Sequence, residues 1–279
     1  MNKVIILGNG QLGSFIYNNW SLKNYEINVI DYPEFDITNQ KMINNIVNNY
    51  DIIINASAYT LVDQAENDIL NCFNTNSMGP IMLSNECIKK QKKLIHISTE
   101  SVFGSNDINY IPLNENDNKH PINVYAKSKK IADDFIENVN NGNILILRPG
   151  WLFGPNSDHN FVSKIKKIIL NKTNIKVVND QIGTMSYVGL LLKAIESFLM
   201  EKLPFGTYNI GNNEFPSRYD VACFVRDQLK SNCIIEKCSS DEFKRVANVA
   251  KNSCLNCQKI KQYLDLSETW KEDVIKILK

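Results

Sequence analysis

The 279-residue chain predicts an α/β fold, a doubly wound parallel sheet with a smaller α/β C-terminal domain. Three observations carry this expectation. Short apolar runs rich in β-branched residues recur through the first half, amphipathic helical patterns alternate with them, and a glycine-rich turn follows the first run. Val4-Ile5-Ile6-Leu7 has the unbroken apolar character of a central strand buried on both faces. Ile27-Asn28-Val29-Ile30, Ile52-Ile53-Ile54, Leu94-Ile95-His96-Ile97 and Ile144-Leu145-Ile146-Leu147 repeat that character. Between the runs, Met42, Ile43, Ile46 and Val47 share one helical face, with Thr38 placed to cap its first turn; Ile131, Phe135 and Ile136 share another after Tyr125. Alternation of this kind calls for right-handed crossovers between parallel strands.

After Pro149 the alternation loosens. A helix is expected from Phe161 to Leu170, a strand at Ile175-Lys176-Val177-Val178, a helix from Val188 to Leu199, and an extended segment Gly206-Thr207-Tyr208-Asn209-Ile210. The helix over Leu190 to Phe198 is apolar enough to return to the main sheet. The expected division is a first domain over 1–150 with a return segment near 177–200, and a second domain over 151–279.

Thirty-one basic against thirty acidic side chains leave a formal charge of +1, so no global field recruits nucleic acid or an anionic membrane. No apolar run approaches the roughly 20 residues that span a bilayer, and Met1-Asn2-Lys3-Val4 enters a strand without a signal-peptide layout. The expectation is a cytoplasmic protein. Seven scattered cysteines fit a reducing compartment and no disulfides. A rival signal stands beside this: Cys233-x4-Cys238 and Cys254-x2-Cys257 put four thiols at a spacing near that of structural zinc sites.

Gly8-Asn9-Gly10-Gln11-Leu12-Gly13 follows the first strand and opens a helix, the setting in which G-x-G-x-x-G binds a dinucleotide. Gly8 permits the tight turn, Gly10 the approach of a pyrophosphate, and Gly13 close helix–sheet packing, while the helix N-terminus offers free N–H groups. The first domain is thus read as a Rossmann-type dinucleotide-binding unit. Asp31 stands 18 positions beyond Gly13, where a carboxylate accepts from the adenosine ribose hydroxyls. No Lys or Arg lies between Asp31 and Asp36 to meet a 2′-phosphate, which favours NADH over NADPH.

Tyr125 and Lys129 stand at i and i+4 on one helical face. An ammonium there is expected to draw the phenol pKa down from about 10. His96-Ile97-Ser98-Thr99-Glu100 closes the fourth strand and puts hydroxyls at the carboxyl edge of the sheet, where open α/β folds bind ligands. His96, inside an apolar strand, reads as a core histidine.

In that order, glycine loop, strand-end hydroxyl and Tyr-x-x-x-Lys resemble the extended short-chain dehydrogenases/reductases. Asn55-Ala56-Ser57-Ala58-Tyr59-Thr60-Leu61-Val62-Asp63-Gln64-Ala65-Glu66, Val178-Asn179-Asp180-Gln181-Ile182-Gly183 and Arg148-Pro149-Gly150-Trp151-Leu152-Phe153-Gly154 are similar to runs of the dTDP-4-dehydrorhamnose reductase branch. The resemblance implies Thr99, Tyr125 and Lys129 as the catalytic group, with Asn76 in support. It implies Gly8, Gly10, Gln11, Leu12, Gly13, Asp31, Asp36, Ile37, Ala56 and Ala58, together with Tyr125 and Lys129, around the cofactor, with Asp36 and Ile37 toward adenine and Lys129 on the nicotinamide ribose. Glu100, Trp151, Phe161 and Gln181 would lie toward a nucleotide-sugar substrate, Trp151 stacking on hexose or base. Two departures accompany it. Glu100-Ser101 stands where the family has Asp-Tyr, and Val249 where it has an arginine, whose charge Lys251 or Arg245 would replace. Phe15 occupies the place of an acidic metal ligand found in some members, so no metal is expected there.

The implied activity is reduction of a nucleotide-linked 4-keto-6-deoxy sugar by NADH or NADPH, in surface-polysaccharide sugar biosynthesis, by a chain that is open to homodimer formation. The alternatives are a sugar-nucleotide epimerase or 4,6-dehydratase, and a catalytically silent nucleotide-binding regulatory subunit. A dehydratase would carry a second carboxylate where Ser101 stands.

Overall fold

The computed structural model describes residues 1–155, 157–266 and 268–278. Its first part runs β1 (Asn2–Leu7), α1 (Gln11–Asn19), β2 (Tyr25–Ile30), α2 (Gln40–Asn49), β3 (Ile52–Asn55), α3 (Val62–Ala65), α4 (Ile69–Phe73), α5 (Gly79–Lys89), β4 (Lys93–Ile97), α6 (Val124–Val139) and β5 (Ile144–Pro149). The remainder comprises β6 (Trp151–Phe153), α7 (Phe161–Asn171), β7 (Asn174–Val178), β8 (Ile182–Gly183), β9 (Met185–Tyr187), α8 (Val188–Leu199), β10 (Gly206–Ile210), α9 (Arg218–Gln228), β11 (Ile234–Cys238), β12 (Asn252–Ser253), α10 (Gln258–Lys261) and α11 (Trp270–Leu278).

Six strands form the main sheet in the order β10-β5-β4-β3-β1-β2, every neighbouring pair parallel. Because side chains alternate across a strand, each central strand feeds two cores. On one face Val4, Ile6, Ile54 and Leu147 pack with Leu12 and Ile16 of α1 and with Leu191 and Ile195 of α8. On the other, Ile5, Leu7, Ile53 and Ile146 pack with Ile43 and Val47 of α2, Leu83 of α5 and Ile136 of α6. Each such side chain contributes roughly 1.5–3 kcal/mol by leaving water.

The second lobe is interleaved with the first. Three two-stranded parallel ribbons, β6 with β9, β7 with β11 and β8 with β12, carry it. The first two share a core of Phe153, Val162, Ile165, Val221, Val225 and Trp270 with α7, α9 and α11. The chain then returns: α8 covers one face of the main sheet, and β10 pairs with β5 as its edge strand.

One local expectation is corrected. Asn39, not Thr38, caps α2, its side chain accepting from the N–H groups of Lys41 and Met42. Thr38 is already engaged, donating through its amide and hydroxyl to Asp36 Oδ1 at 2.8 and 2.7 Å, and this turn delays the helix by one residue.

All seven thiols are free; six are buried and Cys223 is half-buried. Among the described residues no three or more His, Cys, Asp or Glu side chains gather as a metal would need, so Cys233, Cys238, Cys254 and Cys257 belong to packing. Among the same residues no helix is long and apolar enough to cross a membrane.

Candidate active site

The strand order reverses between β1 and β3, and ligands of open parallel sheets bind beyond the strand ends at such a point. The loops after these two strands touch. Gly8 has φ +100°, and a Cβ there would lie 2.9 Å from the Ser57 backbone, so only glycine fits. A Cβ at Gly13 would lie 1.9 Å from the Gly8 carbonyl oxygen. Gly10 differs: a Cβ on it would meet no protein atom within 4 Å, which leaves the backbone at the start of α1 open to an approaching phosphate. These features fit a dinucleotide. A cleft of about 860 Å³ opens over Asn9, Gly10 and Gln11 with Lys166 and Lys167 of α7 opposite.

Asp31 lies just past β2, exposed, and its carboxylate accepts the amides of Asn9 and Tyr32 at 3.0 and 2.9 Å, steadying the glycine turn. Ala56 and Ala58 are half-buried beyond β3. Leu12 and Ile37 have their side chains in the two cores, Ile37 beneath Gly79, so neither side chain is free for a ligand. Gln11 accepts at Oε1 from Asn160 Nδ2 at 2.8 Å, which ties the glycine loop to the cap of α7.

Tyr125 sits in the first turn of α6. Asn123 caps that helix through the Ala126 amide at 2.7 Å, and Glu66 accepts the Val124 amide at 2.8 Å, so two loops fix the turn that carries the phenol. The Thr99 hydroxyl, just past the end of β4, lies close enough to the phenol to pull its pKa down against burial. Lys129 is fully buried, and its Nζ donates to the Ile97 carbonyl at 2.8 Å. The expected drop in the phenol pKa is overturned: burial pushes Tyr125 up, and the Glu100 charge adds to the rise. Burial instead lowers Lys129 to about 8, against the opposing pull of Asp133.

Thr99 departs from the simple expectation as well. Its Oγ1 donates to Glu100 Oε2 at 2.7 Å and accepts the Ser101 amide at 3.2 Å, so its one hydrogen is given to the carboxylate. Burial raises the Glu100 pKa, against the Thr99 hydrogen bond and the nearby Arg218 charge.

Asn76 lies in a π-helical turn, Asn74–Met78, between α4 and α5. It accepts the Tyr59 amide at 2.8 Å and donates to the Tyr59 carbonyl at 3.0 Å and to Ser128 Oγ at 3.1 Å. Ser128 in turn donates to the Tyr125 carbonyl at 2.7 Å. Asn76 thus positions the loop after β3 and the helix of Tyr125 together, and π-turns recur at functional sites for such offsets. His96 is a core residue: it is fully buried, meets Asn55 Nδ2 through Nδ1 at 3.2 Å, and burial holds its pKa well below the ordinary value.

The residues expected toward the substrate gather around one that the sequence did not single out. Arg218, the first residue of α9, has its guanidinium carbon 3.5 Å from the Trp151 ring centroid and 4.8 Å from that of Phe161. Its amide donates to the Gln181 carbonyl at 3.2 Å, and Glu100 is the opposite charge that acts on it. Trp151 therefore carries Arg218 on its indole face rather than leaving that face bare for a hexose. The two cations expected to replace an arginine at Val249 are engaged elsewhere, Arg245 with Asp63 at 2.8 Å and Lys251 with Asp180 at 3.2 Å. No motif marks Arg218; its place depends on contacts far apart in the chain.

The family model described as the RmlD substrate binding domain matches residues 1–279. A dTDP-4-dehydrorhamnose reductase of Aggregatibacter actinomycetemcomitans is 32% identical over 252 residues, 85% of this chain and 84% of that protein. Among solved structures, a dTDP-4-dehydrorhamnose reductase of Bacillus anthracis in complex with NADP superposes with a TM-score of 0.92 at 29% identity, covering 99% of this chain and 98% of that one. A Clostridium acetobutylicum dTDP-4-dehydrorhamnose reductase gives the same TM-score at 28% identity and the same coverage.

Proposed function

Since the chain belongs to the RmlD substrate binding domain family, we propose that it is a nicotinamide-dependent reductase of a nucleotide-linked 4-keto-6-deoxy sugar, of the dTDP-4-dehydrorhamnose type, serving surface-polysaccharide sugar synthesis. One observation supports this reading above the others. Tyr125, in the first turn of α6, lies beside Thr99 just past β4, and Lys129 one turn further along α6 reaches the Ile97 carbonyl at the end of β4, with the glycine turn beyond β1 two strands away.

When bound, reduced nicotinamide supplies a hydride to the carbonyl carbon. The residues do the rest. Burial and the Glu100 charge keep Tyr125 protonated, the state a proton donor needs, and its proton goes to the carbonyl oxygen as that oxygen gains negative charge. Thr99, whose hydrogen Glu100 holds in the free enzyme, would turn it to the same oxygen when the substrate arrives and steady the charge. Lys129, anchored on the Ile97 carbonyl, would hold the nicotinamide ribose. Gly8, Gly10, Gly13, Gln11, Ala56 and Ala58 would border the dinucleotide. Asp36, Ile37 and Leu12 stay with the cofactor side, Ile37 and Leu12 as packing beneath it. Asp31, a carboxylate without a basic neighbour before Asp36, favours a ribose with free hydroxyls and hence NADH, although the Bacillus anthracis relative was crystallised with NADP.

The test is oxidation of NADH and NADPH with dTDP- and UDP-linked 4-keto-6-deoxy hexoses. Stoichiometric oxidation is expected, faster with NADH. Turnover of the sugar without net cofactor oxidation would assign an epimerase, and cofactor affinity without hydride transfer to any of these sugars would assign a binding subunit.

A further inference from the structure

Arg218 is a charged side chain held in place without being used. Trp151 and Phe161 lie against its guanidinium, whose carbon is 3.5 and 4.8 Å from their ring centroids, contacts that restrict the group. Ser217 and Asp220 form a capping box around the start of α9, and the Arg218 amide is bonded to Gln181, so the backbone beneath it is fixed as well. Among the described residues the guanidinium donates no hydrogen bond and has no carboxylate within 4.0 Å, although an arginine carries five donors. Nearby Arg245 and Lys251 are neutralised by Asp63 and Asp180. Arg218 therefore keeps donors to give on this side of the site.

We propose that Arg218 is a specificity-determining residue of the substrate site, its guanidinium taking the diphosphate oxygens of the nucleotide sugar. The assignment rests on the reductase reading above. A 4-keto-6-deoxy hexose carries no acid group of its own, so the diphosphate is the anion that such a substrate brings. A planar fork matches two phosphate oxygens at once, and the aromatic sandwich orients that fork before the ligand arrives. Burial lowers the Arg218 pKa to about 9, with Glu100 opposing, so the group is charged at neutral pH yet incompletely compensated. An arriving diphosphate supplies the missing compensation.

The experiment is calorimetric binding of dTDP and UDP, with dTMP and UMP as controls, to wild type, Arg218→Lys and Arg218→Gln. NADH affinity and the thermal midpoint of each variant report the integrity of the fold. Wild type is expected to prefer diphosphate over monophosphate. Arg218→Gln should lose roughly 10- to 100-fold in diphosphate affinity, the range for charge-assisted hydrogen bonds, and with it that preference. Arg218→Lys, which keeps the charge and stem but not the fork, should fall between, and it carries the test should Arg218→Gln not fold. Unchanged diphosphate affinity in both variants overturns the assignment and leaves the reductase reading intact. Wild type that binds neither dTDP nor UDP overturns both.

Discussion

Glu100 takes the hydrogen of Thr99 and its charge raises the Tyr125 pKa, so one carboxylate acts on both groups of the site. Tyr125→Phe removes the proton donor while the helix and its caps remain, so turnover should fall at least about 100-fold with NADH affinity nearly unchanged, as steady-state kinetics and fluorescence titration would show. Retained turnover removes Tyr125 from that role. Lys129, which burial lowers to about 8, loses its proton as pH rises, and the wild-type profile should decline on the alkaline side near that value. Glu100→Gln removes the carboxylate that takes the Thr99 hydrogen and should change turnover without moving that decline; turnover unchanged by that substitution would show that Glu100 does not control Thr99.

The π-turn between α4 and α5 is the element that registers β3 against α6. Asn76 satisfies both backbone groups of Tyr59 and reaches Ser128, whose hydroxyl holds the Tyr125 carbonyl. Asn76→Ala leaves that amide and carbonyl without partners, which costs about 2–4 kcal/mol in denaturant unfolding and loosens the phenol. The expected signature is a lower midpoint together with reduced turnover; full activity in a destabilised protein would confine Asn76 to folding. Sequence reading located the glycine turn and the Tyr125–Lys129 spacing because both are local patterns in a few consecutive residues. It could not foresee that burial outweighs the neighbouring ammonium at Tyr125, because burial depends on the whole assembly. It missed Arg218 for a related reason: Trp151, Phe161, Gln181 and Glu100 come from four separate segments and meet only after folding. The strands were legible in their apolar runs. The membership of β10 in the main sheet was not, since a five-residue strand carries no label of its neighbour.

At the scale of the molecule, the lobes are not separable. The core on one face of the sheet is completed by Leu191, Ile195 and Phe198 of α8, and the sheet edge by β10, all of them downstream of the second lobe's first strand. A fragment of residues 1–150 should therefore lack a cooperative thermal transition in circular dichroism, while the whole chain melts in one step; an independently melting fragment would contradict this dependence. The buried thiols give the intact protein a further property. Burial pushes Cys87, Cys254 and Cys257 up to about 12, and only Cys223 is half-buried, so an aromatic disulfide reagent should titrate about one sulfur quickly in the native state and all seven after denaturation. The yellow colour released over time then serves as an internal stopwatch for unfolding, without any engineered label.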